Sequence, residues 1–246
     1  MRSDAIETKL AAARTKLILD KPFLGALVLR LPMVAADPDW CPTSATDARK
    51  FYYNEAFIDA LTLDETQFIL AHEALHCALS HFARRQHRGR HRWDLACDFA
   101  INPLLVDDGL QAPPGSLLLD QFRGMTAEEI YPLLDEFEDQ ETLDHHAYDS
   151  ENQKSSGSGR TEKDLSPDRE TSGTPAQRPE DGGAGGDTAD PSTGGTHGPP
   201  PPLTPDEKET LSIQWQQRMA GAAQQPMQAG KLGGALARMI DHLLQP

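Results

Sequence analysis

The sequence predicts an α+β fold, mostly helical with a small sheet, followed by a disordered linker and C-terminal helices. Three observations carry this. Apolar residues recur at spacings of three and four in several segments, the mark of amphipathic helices. Two short runs rich in Leu, Val and aromatics suit strands. Between Glu138 and Leu203 the chain is mainly Gly, Pro, Ser, Thr and Asp with almost no aliphatic residues. Such a stretch cannot bury enough apolar surface to offset the roughly 1–2 kcal/mol per residue that ordering its backbone costs. The expected organisation is a folded domain over 1–137, an acidic linker over 138–203 and a helical segment over 204–246.

In chain order, residues 4 to 19 carry Ile6, Leu10, Ala13, Leu17 and Ile18 on one helical face. "FLGALVLRLPMV" then reads as a strand stopped by Pro32 and the turn material "ADPDWCP". "KFYYN" reads as a short aromatic strand. Thr62 suits an N-cap, with Glu65 three residues on completing a capping box and Asp64 complementing the helix dipole. From there one helix is expected through about Ala83. A second is expected from about Arg92 to Val106, strained or kinked by Pro103. "TAEEIYPLLDEF" starts a third by the same box logic at Thr126 and Glu129. Beyond the linker, Thr204, Pro205 and Glu207 begin another helix that runs to Pro226, and "KLGGALARMIDHLL" closes the chain with a weaker one.

Charge and composition exclude several functions. The 246 residues are 38% hydrophobic with a net charge of -15, and the mean hydropathy is -0.55. Residues 138–207 hold 16 acidic and 5 basic side chains, which leaves the remainder close to neutral. The acidity therefore describes a solvated tail and argues against nucleic acid as a ligand. Cys41, Cys77 and Cys97 are too few and too scattered for a disulfide framework. With neither an apolar leader core nor a run long enough to span a membrane, the chain is expected to be cytoplasmic and soluble.

The segment "AHEALHCALSH" carries the chemistry. On a helix, His72 and His76 project from one face one turn apart, the separation two ligands of one tetrahedral Zn²⁺ require. Phe68, Ile69, Leu75 and Leu79 share that face, so the histidines belong to the core-facing stripe. Two buried imidazoles without a partner would lose their hydration, and a metal satisfies both. Glu73, about 100° round the helix from His72, stands at the edge of the face. From there its carboxylate can take a proton from a water on the metal. The bland alternative is a helix that happens to carry histidines.

A third ligand is expected, and Asp98 in "RWDLACDFAINPLL" fits best. It shares a helical face with Leu95, Ile101 and Leu105, where a carboxylate needs a strong partner. Asn102 lies one turn further on. A salt bridge to a nearby arginine is the alternative for Asp98. His81, His87 and His91 compete for the position. His81 falls on the opposite side if the helix continues, and five arginines between Arg84 and Arg92 make a poor setting for a dication.

Three ordered motifs, "AHEALHCALSHFARR", "RHRWDLACDFAIN" and "FRGMTAEEIYPLL", resemble the metallopeptidase domain that precedes a von Willebrand factor A-like domain in many bacterial and phage proteins. The resemblance covers residues 1 to about 137. It implies a zincin-like fold with Zn²⁺ held by His72 and His76 and with Glu73 as general base. Trp93, Ala96, Asp98 and Asn102 match that family's Trp-x-x-Ala-x-Asp-x-x-x-Asn pattern. Association with an AAA+ ATPase is implied by the same likeness alone. The second domain's Asp-x-Ser-x-Ser motif does not occur, so a truncated member or a fragment is expected.

Two functions follow as expectations. One is a zinc-dependent peptidase whose peptide or protein substrate lies extended against "KFYYN" as an edge strand, with Tyr52 or Tyr53 near the oxyanion. The other is a metal-stabilised binding or adaptor module without turnover. Glu73 favours the first, because a structural site has no use for a carboxylate placed to accept a proton.

Overall fold

The computed structural model describes residues 2–134, 140–142, 144–148, 198–229 and 232–244. Helix α1 (Arg2–Asp20) buries Ile6, Leu10, Ala13 and Leu17 along the expected stripe, whereas Ile18 is exposed. Helix α2 (Pro22–Val28) replaces most of the strand expected from "FLGALVLRLPMV", of which only β1 (Met33–Ala35) is extended. An apolar run this short fits a buried helix as well as a strand. Pro22 decides, with no N–H to leave unsatisfied and a backbone preset for the first helical turn. Gly25 reinforces the choice: a Cβ there would lie 2.5 Å from Ile18 Cα, so only glycine lets α2 pack this closely on α1.

Strands β2 (Ser44–Thr46) and β3 (Phe51–Tyr53) follow, then α3 (Glu55–Ala60), whose N-cap Asn54 accepts from the amides of Ala56 and Phe57. Helix α4 (Leu63–Ala78) begins at the expected Thr62–Glu65 capping box and is buried from Glu65 to Ala78. It does not continue to Ala83. Ser80 adopts a left-handed conformation, φ 53°, and a one-turn helix α5 (His81–Arg84) sets off in a new direction. Ser212 donates to Ser80 Oγ at 3.1 Å and Arg84 Nη1 donates to Leu79 O at 3.0 Å, so partners elsewhere support the break.

Helix α6 (Arg90–Asp107) runs through Pro103. Helix α7 (Ala127–Ile130) carries the Thr126–Glu129 box but yields to a 3₁₀ turn at Tyr131–Leu133, where Pro132 removes a donor. Strand β4 (His145–His146), helix α8 (Pro205–Gln228) with its Thr204–Glu207 box and helix α9 (Gly234–Leu244) complete the described elements.

The described sheet has the order β1-β3-β2-β4. β1 and β3 are parallel, β2 and β3 antiparallel, and β2 and β4 parallel. The "KFYYN" strand is therefore internal and offers no edge to a substrate, a correction to the sequence expectation. Strand order depends on pairings between residues far apart in sequence, which the alternation within one strand does not encode.

Helix α4 is the hub, packed against α1, α2, α6 and α8. Leu10, Leu17, Leu24, Phe68, Leu75, Leu105 and Trp215 meet in one core, while Trp93, Phe99, Phe122 and Ile130 form another on the far side of α6. Trp215 of α8 is buried and donates from Nε1 to Ala48 O at 2.9 Å. The 204–246 segment thus contributes to the main core. Most of the stretch read as a linker, 149–197, lies outside the described residues. Its described flanks are packed, with Asp144, Tyr148 and Leu203 buried. Among the described residues no helix is long and apolar enough to cross a membrane.

Candidate metal centre

The face of α4 that turns toward α6 presents His72 and His76, both buried. Their Nε2 atoms lie 2.9 Å apart. Asp98 enters from α6, its Oδ1 3.3 Å from His76 Nε2 and 3.6 Å from His72 Nε2. Asp144, immediately before β4, brings its Oδ1 to 3.6 Å from His72 Nε2. Four ligand atoms, two nitrogens and two carboxylate oxygens, fall within 4.8 Å of one another. Donors around one tetrahedral ion with bonds near 2.0–2.1 Å stand about 3.3 Å apart. The spacing of this set fits a single dication.

Proton placement agrees. Asn102 Nδ2 donates to Leu117 O at 3.1 Å, which leaves Asn102 Oδ1 as the acceptor facing His72 Nδ1 at 2.8 Å. His72 therefore donates from Nδ1, and Nε2 is the ring nitrogen that faces the cluster. This is the outer hydrogen bond that orients a ligating imidazole. Burial alone would depress His72, but the Asp144, Asp98 and Glu73 carboxylates outweigh it and raise its pKa to about 9. A strongly negative, buried pocket that favours a cationic proton favours a metal cation for the same reason.

His81 departs from expectation. The break at Ser80 turns it back toward the site, its Nδ1 3.2 Å from His76 Nδ1. Trp93 holds the turn by donating from Nε1 to His81 O at 3.1 Å, which gives the Trp of the Trp-x-x-Ala-x-Asp pattern a positional role. Cys97 shares a second potential donor group with His76 and His81. Its thiol is pushed well above its usual range by burial and by Asp94 and Asp98, so it stays protonated. His87 on the connector and His91 in the first turn of α6 are exposed and stand apart from the donor groups.

Glu73 is fully buried, and Ser44 of β2 donates from Oγ to its Oε1 at 2.8 Å. That bond ties one carboxylate oxygen to the sheet. Tyr52 is committed elsewhere. Its hydroxyl donates to Asp47 Oδ2 at 3.2 Å, and burial together with Asp47 raises its pKa above the ordinary value. Tyr53 packs with Phe51 in the main core.

Sequence reasoning brought together His72, His76, Glu73 and Asp98. It missed Asp144, which sits in "ETLDHHAYDS" at the edge of an acidic, Gly- and Pro-rich stretch without helical or strand periodicity. The only local signal is Tyr148, an isolated aromatic in polar surroundings.

The chain matches the family described as "Putative metallopeptidase domain" over residues 5–246. No curated protein and no solved structure matches it.

Proposed function

Because the chain belongs to this metallopeptidase-domain family, we propose that it is a zinc-dependent peptidase in which His72, His76 and Asp98 hold Zn²⁺ and Glu73 is the general base. The observation that carries the reading is the convergence of both Nε2 atoms and an Asp98 oxygen within 2.9–3.6 Å, with His72 Nδ1 committed to Asn102. A divalent ion at such a donor set lowers the pKa of a water toward ~7 and polarises a carbonyl. The chain's own residues supply the rest. Asn102 keeps the His72 lone pair aimed. Ser44 fixes Glu73 so that Oε2 takes the proton released during attack and returns it to the departing amine. Complete burial of Glu73 and both histidines keeps bulk water from competing for those protons. Two histidines and a carboxylate also suit iron; the adjacent glutamate is the feature that favours hydrolysis.

A second reading has its own observation. Four protein donors close a tetrahedral site, as in structural zinc centres, whereas catalytic ones keep a position open. On that reading the metal supports a binding module and no bond is cut. Metal content and peptide-library cleavage, measured for wild type and Glu73→Gln, separate the two. The peptidase reading expects both proteins to hold metal and the variant to lose cleavage by about 10²–10⁴-fold. Cleavage that survives in the variant rules out Glu73 as the base. Metal-loaded wild type that cleaves nothing in the library favours the module.

A further inference from the structure

Asp144 differs from the other three donors in how it is held. His72, His76 and Asp98 stand on α4 and α6, two long helices packed on each other in the core. Asp144 precedes a strand of two residues, joined to β2 through Ala45↔His145 and Thr46↔His146 and an Ala147 amide bond to Thr46 O at 3.0 Å. It is nonetheless buried, with Oδ1 3.6 Å from His72 Nε2.

The place this segment occupies is informative. β2 is the strand whose Ser44 holds Glu73, so the strand lies beside that carboxylate. An extended peptide bound by main-chain hydrogen bonds adds to an open strand edge. Here β3 fills one side of β2 and β4 fills the other. A stretch of the chain therefore lies where an extended substrate would lie, and puts a carboxylate on the cluster where a substrate carbonyl or a product carboxylate would go. The geometry points the same way, since Asp98 and Asp144 each bring an Oδ1 to 3.6 Å from His72 Nε2 and so converge on one ring nitrogen.

We propose that Asp144 is the exchangeable donor of the centre, a carboxylate that the chain itself lends to the position a catalytic site must open. Resting on the metal reading above, this reconciles the closed donor set with the base at Glu73: the described arrangement is the occupied state of the substrate edge. The ligand class that competes with Asp144 is a small anion or a peptide carboxylate.

Cobalt(II) titration of the full chain tests this, with Asp144→Ala, the size-preserving Asp144→Asn and a His76→Ala control, and with azide as the probe anion. The expected result is stoichiometric cobalt in wild type and both Asp144 variants. Azide should shift the visible cobalt bands of the variants at concentrations well below those that move the wild-type bands, where it has to displace Asp144. Loss of cobalt from both Asp144 variants to the extent seen for His76→Ala makes Asp144 an obligatory ligand and overturns the proposal. Wild-type bands that shift with azide as the variants' do overturn it too, since the position is then already open. Azide-silent variants with wild-type spectra show that Asp144 is not a donor. Wild type that takes up no cobalt removes the metal reading itself, a failure distinct from the other three.

Discussion

The affinity of the centre for a divalent ion should rise steeply with pH, and the surroundings of His72 set the window. In the metal-free protein His72 has a pKa of about 9, against ~6.5 for an unconstrained imidazole. Asn102 keeps Nδ1 protonated, so the proton that comes and goes is the one on Nε2, the atom a metal needs. Binding must expel it. Below pH ~9 each unit of acidification then costs about tenfold in apparent affinity, or ~1.4 kcal/mol. At pH ~7 zinc binds roughly 100-fold more weakly than at its plateau. The stability of the metal-free fold moves in the opposite sense. A folded-state pKa above the unfolded one contributes stability that is fully present below pH ~6.5 and lost as pH rises through about 9, on the order of 3 kcal/mol. Chelator-competition titrations with zinc at intervals between pH ~6.5 and ~9.5 read the first effect. Melting of metal-free wild type against His72→Gln over the same range reads the second. An affinity that stays flat across this window refutes the reasoning, because it means that no proton leaves Nε2.

Two further outcomes follow from the packing around the centre. Asn102→Leu removes the acceptor that orients His72 and should weaken zinc binding by about 10–100-fold while the fold is retained; unchanged affinity in the same titration would show that the ring is oriented by something else. Trp215→Ala should cost about 3–5 kcal/mol in denaturant unfolding, since the side chain is buried and bonded to Ala48 O; a near-neutral result contradicts the packing of α8 on the α4 core.

The site was legible in the sequence to the extent that it is helical. Spacings of four in His72 and His76, and in Asp98 and Asn102, translate directly into shared faces, and the apolar neighbours of each pair tell which way the face points. What depends on distant partners was not. Ser80 carries none of the usual helix-ending chemistry, yet its bond to Ser212 and the Arg84 contact to Leu79 O go with a left-handed residue there. That turn swings His81 from the far side of the helix back onto His76. The strand character of "KFYYN" was readable, but its internal place between β1 and β2 was not, because pairing order is a long-range property. Asp144 was the least visible. It lies outside any periodic segment, and its burial depends on the pairing of β4 with β2. Pro22 and Gly25 were present as signals for α2; an apolar run read by composition alone hid them.

Metal content of the full chain, purified without chelator and measured beside His76→Ala and Asp98→Ala, tests the central claim most directly. The account predicts stoichiometric zinc in wild type, none in His76→Ala and a clear loss in Asp98→Ala. Wild-type protein that contains no transition metal and takes none up on dialysis against zinc contradicts it.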